Sequence, residues 1–259
     1  MIYVVQDFST AIEALAPLEL AMEWDNVGLQ IGAPQSQVKT ILVTLTVTMD
    51  TVQIALAHGV DLIVAHHPVI FKPLRQIRTD HPEGTLLNAL LRHDISVYVA
   101  HTNLDQAAYG LNYWLAREVG LEDSRVLIPV HGSTDAGLGR IGDIAPIALG
   151  DFAEQLEGLW GDRVRVVGDG KQTIARVALA GGSGGDFVQQ AKDAGADVLV
   201  TGDVSYHDAM DARSVGLAVL DAGHFATERV MVSEVAQYLE DRFENVHILQ
   251  DRSTNPFSF

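Results

Sequence analysis

Three short stretches of this sequence collect side chains that can hold metal ions or move protons. Ala65-His66-His67-Pro68 closes an apolar run, His101-Thr102-Asn103-Leu104-Asp105 closes another, and Ala222-Gly223-His224 is followed by Thr227-Glu228. The 259-residue chain has no cysteine, which removes disulfides, thiolate catalysis and Cys-type zinc sites together, so a metal would be held by imidazole and carboxylate. His224 and Glu228 are four residues apart and share one face of a helix, whose N-terminus would favour the carboxylate. His66 and His67 are adjacent, so on an extended backbone they point to opposite sides and are predicted to serve two neighbouring ions rather than to grip one. The imidazoles of His66, His67 and His224 with the carboxylates of Asp105 and Glu228 suffice for two divalent ions if one carboxylate bridges. Open positions would remain for water, as in a catalytic rather than a closed structural site. Mixed nitrogen and oxygen donors suit zinc, manganese, iron, cobalt or nickel. Each piece also has an ordinary reading, since a strand-end histidine usually makes a local hydrogen bond and a His/Glu pair on a helix is usually a solvated face. The weight lies in the combination.

The elements that would carry these residues follow an α/β rhythm. Asp61-Leu62-Ile63-Val64-Ala65 is a β-branched apolar run, which reads as a strand buried on both faces, and Pro68 ends it. Strands are expected at Ile41 to Val47 and Ile95 to Ala100, with helices at Phe8 to Leu18, Asp50 to His58, Gly84 to His93 and Leu111 to Val119, the last capped by Gly120. Strands alternating with helices imply parallel pairing, and open parallel sheets bind ligands beyond the carboxyl ends of their strands, where His66, His67 and Asp105 fall. Between Glu122 and Gly142 the periodicity weakens and Pro129, Gly132, Gly137, Gly139 and Gly142 accumulate, which predicts a boundary between an N-terminal lobe, 1–126, and a C-terminal lobe, 127–259. The second lobe repeats the alternation: strands at Val164 to Val167, Arg176 to Ala180, Asp197 to Thr201 and Leu217 to Leu220, then one long helix from Thr227 to Phe243 and an edge strand at Val246 to Leu249, with these last two elements open to packing on the first lobe. Gly181-Gly182-Ser183-Gly184-Gly185 is either a phosphate-cradling turn or a tight strand-to-helix turn, and it lacks the Lys-Ser/Thr of a P-loop. Asp203 and His207 follow a strand end and read either as outer groups of a site or as a helix cap and a solvated histidine.

Charge narrows the function classes. Asp and Glu total 34 against 17 Lys and Arg, a formal charge of -17, so the chain lacks the basic footprint of direct nucleic-acid binding. No basic leader pattern opens it and no stretch of 18 apolar residues follows, so a soluble cytoplasmic protein is expected.

The motifs in their order resemble the Nif-three-like dinuclear metal-centre family, also called GTP cyclohydrolase 1 type 2 homologues. The resemblance runs through Trp24-Asp25-Asn26-Val27-Gly28-Leu29, Ala65-His66-His67-Pro68 with Ile70-Phe71, His101 to Asp105, Gly181-Gly182-Ser183-Gly184, Thr201-Gly202-Asp203 with Tyr206-His207, Ala222-Gly223-His224 with Thr227-Glu228, and Asn255-Pro256-Phe257. It implies a two-lobed α/β fold, each lobe a mostly parallel or mixed sheet flanked by helices, with a two-metal site between the lobes. It implies His66, His67, Asp105, His224 and Glu228 as ligands, with His67 and Asp105 on one ion, His66 and His224 on the other, and Glu228 bridging. It further implies a homohexamer and a metal-dependent hydrolase acting on a nucleotide or related small molecule, with His101 or His207 available for proton transfer. The competing reading is a non-enzymatic metal-binding, metal-delivery or regulatory protein using the same donors. Thr46 stands where many members of the family have Asp, and the chain has no room for the extra domain that longer members carry between their halves.

Overall fold

The computed structural model describes residues 2–257. It divides into two compact units, Met1–Leu104 with Met231–Ser253, and Asp105–Val230 with Thr254–Phe259.

In the first unit five strands stand in the order His247–Gln250, Thr40–Thr44, Leu62–Ala65, Ser96–Val99, Gly28–Ile31; the first four run parallel and Gly28–Ile31 is antiparallel at the edge. Every residue of Leu62–Ala65 and Ser96–Val99 is buried, which is why these runs carry no polar alternation. One core joins Leu42, Ile63 and Val97 of the sheet to Val52 and Ala55 of the helix Met49–His58 and to Leu87 and Leu90 of the helix Pro82–Arg92. The helix Met49–His58 starts where Thr48 accepts a hydrogen bond from Thr51 N and stops at Gly59, whose φ of 62° takes the left-handed turn that favours glycine. The helix Val230–Glu240 buries Met231, Val235, Ala236 and Leu239, and Tyr238 donates its hydroxyl to Ala11 O at 2.9 Å.

In the second unit six strands stand in the order Glu122–Pro129, Gly137–Ala148, Thr173–Ser183, Val198–Gly202, Ala218–Asp221, Arg165–Val167. Thr173–Ser183, Val198–Gly202 and Ala218–Asp221 are parallel, and antiparallel strands flank them on both sides. One face packs on Phe152, Leu156 and Trp160 of the helix Leu149–Trp160; the other packs on Val188 and Ala191 of Val188–Asp193 and on Ala212 of Tyr206–Val215. The α/β expectation is met in both units, each a mixed sheet flanked by helices. Among the described residues no helix is long and apolar enough to cross a membrane.

Three expectations differ from the structure. The stretch of weak periodicity between Glu122 and Gly142 is a paired hairpin, Glu122–Pro129 with Gly137–Ala148, and not a linker. Its proline and glycines mark the turn and the close strand approaches of an edge, and the two compact units meet along the chain at 104/105 and 230/231. The single helix expected from Thr227 to Phe243 is two, His224–Glu228 and Val230–Glu240. The Thr227 hydroxyl bonds back to the carbonyls of Gly223 and His224, an interaction that bends helices. The strand before the histidine pair ends at Ala65, so His66 and His67 escape strict alternation and their ring centroids lie 5.2 Å apart.

The same carboxylate device starts both sheets. Asp61, just before Leu62–Ala65, accepts Lys39 N and Thr40 N at 2.7 and 3.0 Å; Asp197, just before Val198–Gly202, accepts Ala175 N and Arg176 N, both at 2.8 Å. Asp61→Ala leaves two strand-start amides without this acceptor and is expected to lower unfolding stability by about 1–2 kcal/mol. Urea denaturation should show this as a lower midpoint with an unchanged m value.

Candidate metal centre

Strand ends of the first unit bring three imidazoles together. His66 and His67 follow Leu62–Ala65, His101 follows Ser96–Val99, and each ring offers one nitrogen within 4.8 Å of the others. His66 is fully buried and its Nδ1 lies 2.8 Å from Ala100 O. A carbonyl only accepts, so Nδ1 carries the proton and Nε2 carries the lone pair, the form of imidazole that ligates metal. His67 Nδ1 pairs with the Thr46 hydroxyl at 2.7 Å. Thr46 therefore supports the ring with a neutral group able to donate or accept.

His101 is held by a carboxylate. Its Nδ1 donates to Asp25 Oδ1 at 2.9 Å, and Asp25 Oδ2 accepts from both the amide and the hydroxyl of Thr102. Burial alone would raise the Asp25 carboxyl, but the hydrogen bonds from His101 and Thr102 and the His101 charge outweigh it and hold the group at about 2. A carboxylate fixed on Nδ1 leaves Nε2 of His101 for a ligand or a proton, so His101, named from sequence for proton transfer, has metal-binding geometry as well. The sequence reading passed over Asp25 as a working residue. Its signal was a carboxylate in the Trp24-Asp25-Asn26 loop, which no periodicity explains.

The second unit carries the other donors. His224 and Glu228 share the helix His224–Glu228, with His224 Nε2 3.0 Å from Glu228 Oε2 and His224 Nδ1 2.7 Å from Asp203 Oδ2. Both ring nitrogens thus face carboxylates. The hydrogen bond to Glu228 does most to lift the His224 pKa to about 9; burial opposes it, and the Glu228 charge and Asp203 add to it. Asp203 fits the outer-group reading. His207 stands exposed beside Tyr206, their rings 5.5 Å apart, at the start of the helix Tyr206–Val215.

Asp105, on the helix Thr102–Gln106, is fixed through its backbone. Asn112 Nδ2 donates to Asp105 O at 3.0 Å, while Asn112 Oδ1 accepts Gly181 N at 2.9 Å. Buried Arg140 donates to the carbonyls of Ala107 and Ala108, just beyond Asp105. The glycine run divides: Gly184 and Gly185 make the tight strand-to-helix turn, leading through Gly185–Phe187 into the helix Val188–Asp193, while Gly181–Ser183 completes the strand Thr173–Ser183, where Gly182, at a φ of 65°, passes against Glu228 and His224. A Cβ on Gly182 would collide with Glu228 Oε1. The run therefore makes room for the carboxylate, and Gly182 N donates to Thr227 Oγ1 at 3.0 Å.

The imidazole group of the first unit and the His224–Glu228 pair of the second could both hold metal ions by the chemistry of their donors. In metal-stripped protein His224 is an imidazolium at neutral pH. Its folded pKa of about 9 exceeds the reference value of 6.5, so its contribution to stability is fully present below pH 6.5 and is lost as pH rises through about 9. Urea unfolding of the stripped protein from pH 6 to 10 should show this loss, and His224→Gln should flatten it.

Comparison with known proteins gives a consistent picture. The family model Duf34/NIF3 (NGG1p interacting factor 3) matches residues 3–256. A GTP cyclohydrolase 1 type 2 homolog of Streptococcus pneumoniae is 39% identical over 95% of this chain and 96% of its own. A Bacillus subtilis relative of the same name is 30% identical, covering 98% of each chain, across an alignment of 366 residues that leaves more than a hundred without a counterpart here. The crystal structure of a Bacillus cereus protein related to NIF3 superposes with a TM-score of 0.93 at 29% identity, over 100% of this chain and 99% of that one. The chain belongs to the DUF34/NIF3 family.

Proposed function

We propose that this chain is a dinuclear metal-dependent hydrolase acting on a nucleotide or related small molecule. His66, His67, Asp105, His224 and Glu228 would hold two divalent ions. The observation that carries the reading is His66: fully buried, with Nδ1 committed to Ala100 O, it keeps its lone pair on Nε2 beside two more imidazoles. The ions would supply Lewis acidity, activating water and polarising the scissile group. The protein's own residues do the rest. Asp25 holds His101 so that Nε2 can accept a proton and return it, and Thr46 orients His67. The name borne by the relatives supports a nucleotide substrate.

One observation favours the alternative of metal uptake and delivery: His224 is gripped by Asp203 and Glu228 and would have to give up a proton to take a metal, which suits reversible loading.

Metal content measured after purification without chelator or tag metal is expected near two ions per chain, falling sharply in Glu228→Ala. Loaded protein should then turn over GTP or another nucleotide above the Glu228→Ala background. Two ions without turnover across nucleotides, phosphoesters and amides would leave metal delivery as the function; content unchanged by the mutation would sink the ligand assignment. Asp25→Asn should retain metal while lowering turnover about 10²–10⁴-fold, the range contributed by positioned acid–base groups. Equal turnover would remove His101 from the mechanism.

A further inference from the structure

The chain exposes two large aromatic rings beside its imidazole group. Two of its three tryptophans, Trp114 and Trp160, are buried, whereas Trp24 is 57% exposed and Phe71 is 46% exposed. Trp24 meets Phe71 at 5.8 Å between centroids with planes 70° apart, and meets His101 at 6.2 Å with planes 72° apart. His101 is in turn 5.1 Å from His66 and 5.7 Å from His67.

Exposed rings are unremarkable singly, but these are rigidly mounted. Asp25, next to Trp24, bonds His101 and Thr102 through its side chain and Met22 O through its amide, and Met22 N donates to Thr102 Oγ1 at 3.0 Å. Asn26 donates its side-chain amide to Ile70 O, and Ile70 N donates to Gln30 Oε1 at 2.8 Å, which fixes the residue before Phe71. The same bonds that orient His101 therefore hold the indole, and ring docking need not first order the loop. Near-perpendicular aromatic planes leave a corner in which a third planar ring can stack on one face and meet the other edge-on.

We infer that Trp24 and Phe71 form a subsite for a planar heteroaromatic ring, such as a nucleobase, borne by the molecule on which the imidazole group acts. This rests on the functional reading above and names the part of the substrate that the site grips. Stacking on an aromatic face tolerates many rings, so the subsite sets chemical class more than identity, and a ring-free molecule forfeits the contact.

The test uses the full chain, both metal-loaded and metal-stripped, titrated with GMP, AMP or CMP by calorimetry for the wild type and every variant, with tryptophan emission read alongside in the wild type. Ribose 5-phosphate serves as the ring-free control. With the other tryptophans buried, quenching reports on Trp24. The expected result is quenching by mononucleotides and not by ribose 5-phosphate, with binding weakened about tenfold or more in Trp24→Ala and retained within about threefold in Trp24→Phe, metal content being equal in all three proteins. The inference is overturned if no mononucleotide quenches at millimolar concentration, if ribose 5-phosphate binds as well, or if Trp24→Ala binds like wild type. It is also overturned if Trp24→Ala only dissolves an oligomer, since the rings would then be covered by a second copy of the chain. Failure of the metal reading appears separately, as metal content indifferent to Glu228→Ala.

Discussion

An imidazole can bind a metal through one nitrogen only when the other has somewhere to put its proton. His66 gives that proton to a backbone carbonyl and His101 gives it to Asp25. The His66 partner follows the strand Ser96–Val99, so that tautomer is set by sheet geometry, while the His101 tautomer is set by the Asp25 carboxylate, itself held by Thr102. The order of strands places His66 and His101 on neighbouring parallel strand ends, and the full burial of those strands keeps the carbonyl acceptor from turning to water. Replacing the sheet's registry would cost more than a few contacts; it would change which nitrogen carries the lone pair.

The two units solve the same construction problem with one plan. Each runs strand, helix, strand, helix, strand in parallel, and each places an aspartate, Asp61 or Asp197, ahead of its second strand to hold the start of the neighbouring strand. Chemistry then collects past the second and third strands in both: His66, His67 and His101 in one, Asp203, His224 and Glu228 in the other. What differs is the electrostatic solution. The first unit gathers imidazoles, with the Asp25 carboxylate on His101, while the second gathers carboxylates around a single imidazole.

Most of this was legible in the sequence because burial on both faces leaves an unmistakable run, as in Leu62 to Ala65, and because a ligand placed past such a run inherits its position. The paired residues His224 and Glu228 were legible for the same local reason, one helix turn. Asp25 was not, since its role depends on His101, 76 residues away, and no local spacing encodes that hydrogen bond. Asn112, joining Asp105 O to Gly181 N, was hidden in an ordinary helical pattern. The hairpin from Glu122 to Ala148 was lost because edge strands with glycines at close approaches look like linkers until their partner is known. Gly182 shows the opposite failure: the glycines were conspicuous, but what they accommodate, the Glu228 carboxylate, comes from a residue far along the chain.

Glu228 is the group on which these arguments converge. It is buried, so its charge needs a partner, and the unit provides His224 as a cation held also by Asp203. A divalent ion would satisfy the same carboxylate more strongly, provided that His224 gave up a proton. The unit thus already places one positive charge where a divalent metal would bring two. That charge lets the unit keep Glu228 buried before any metal arrives. Metal binding there would be measured against an ion pair already made, and it would release a proton where His224 is held at a pKa of about 9. Well-packed apolar residues in place of both Glu228 and His224 would give a unit as stable or more so by the ordinary rule for buried ion pairs, but would leave no donors for a metal.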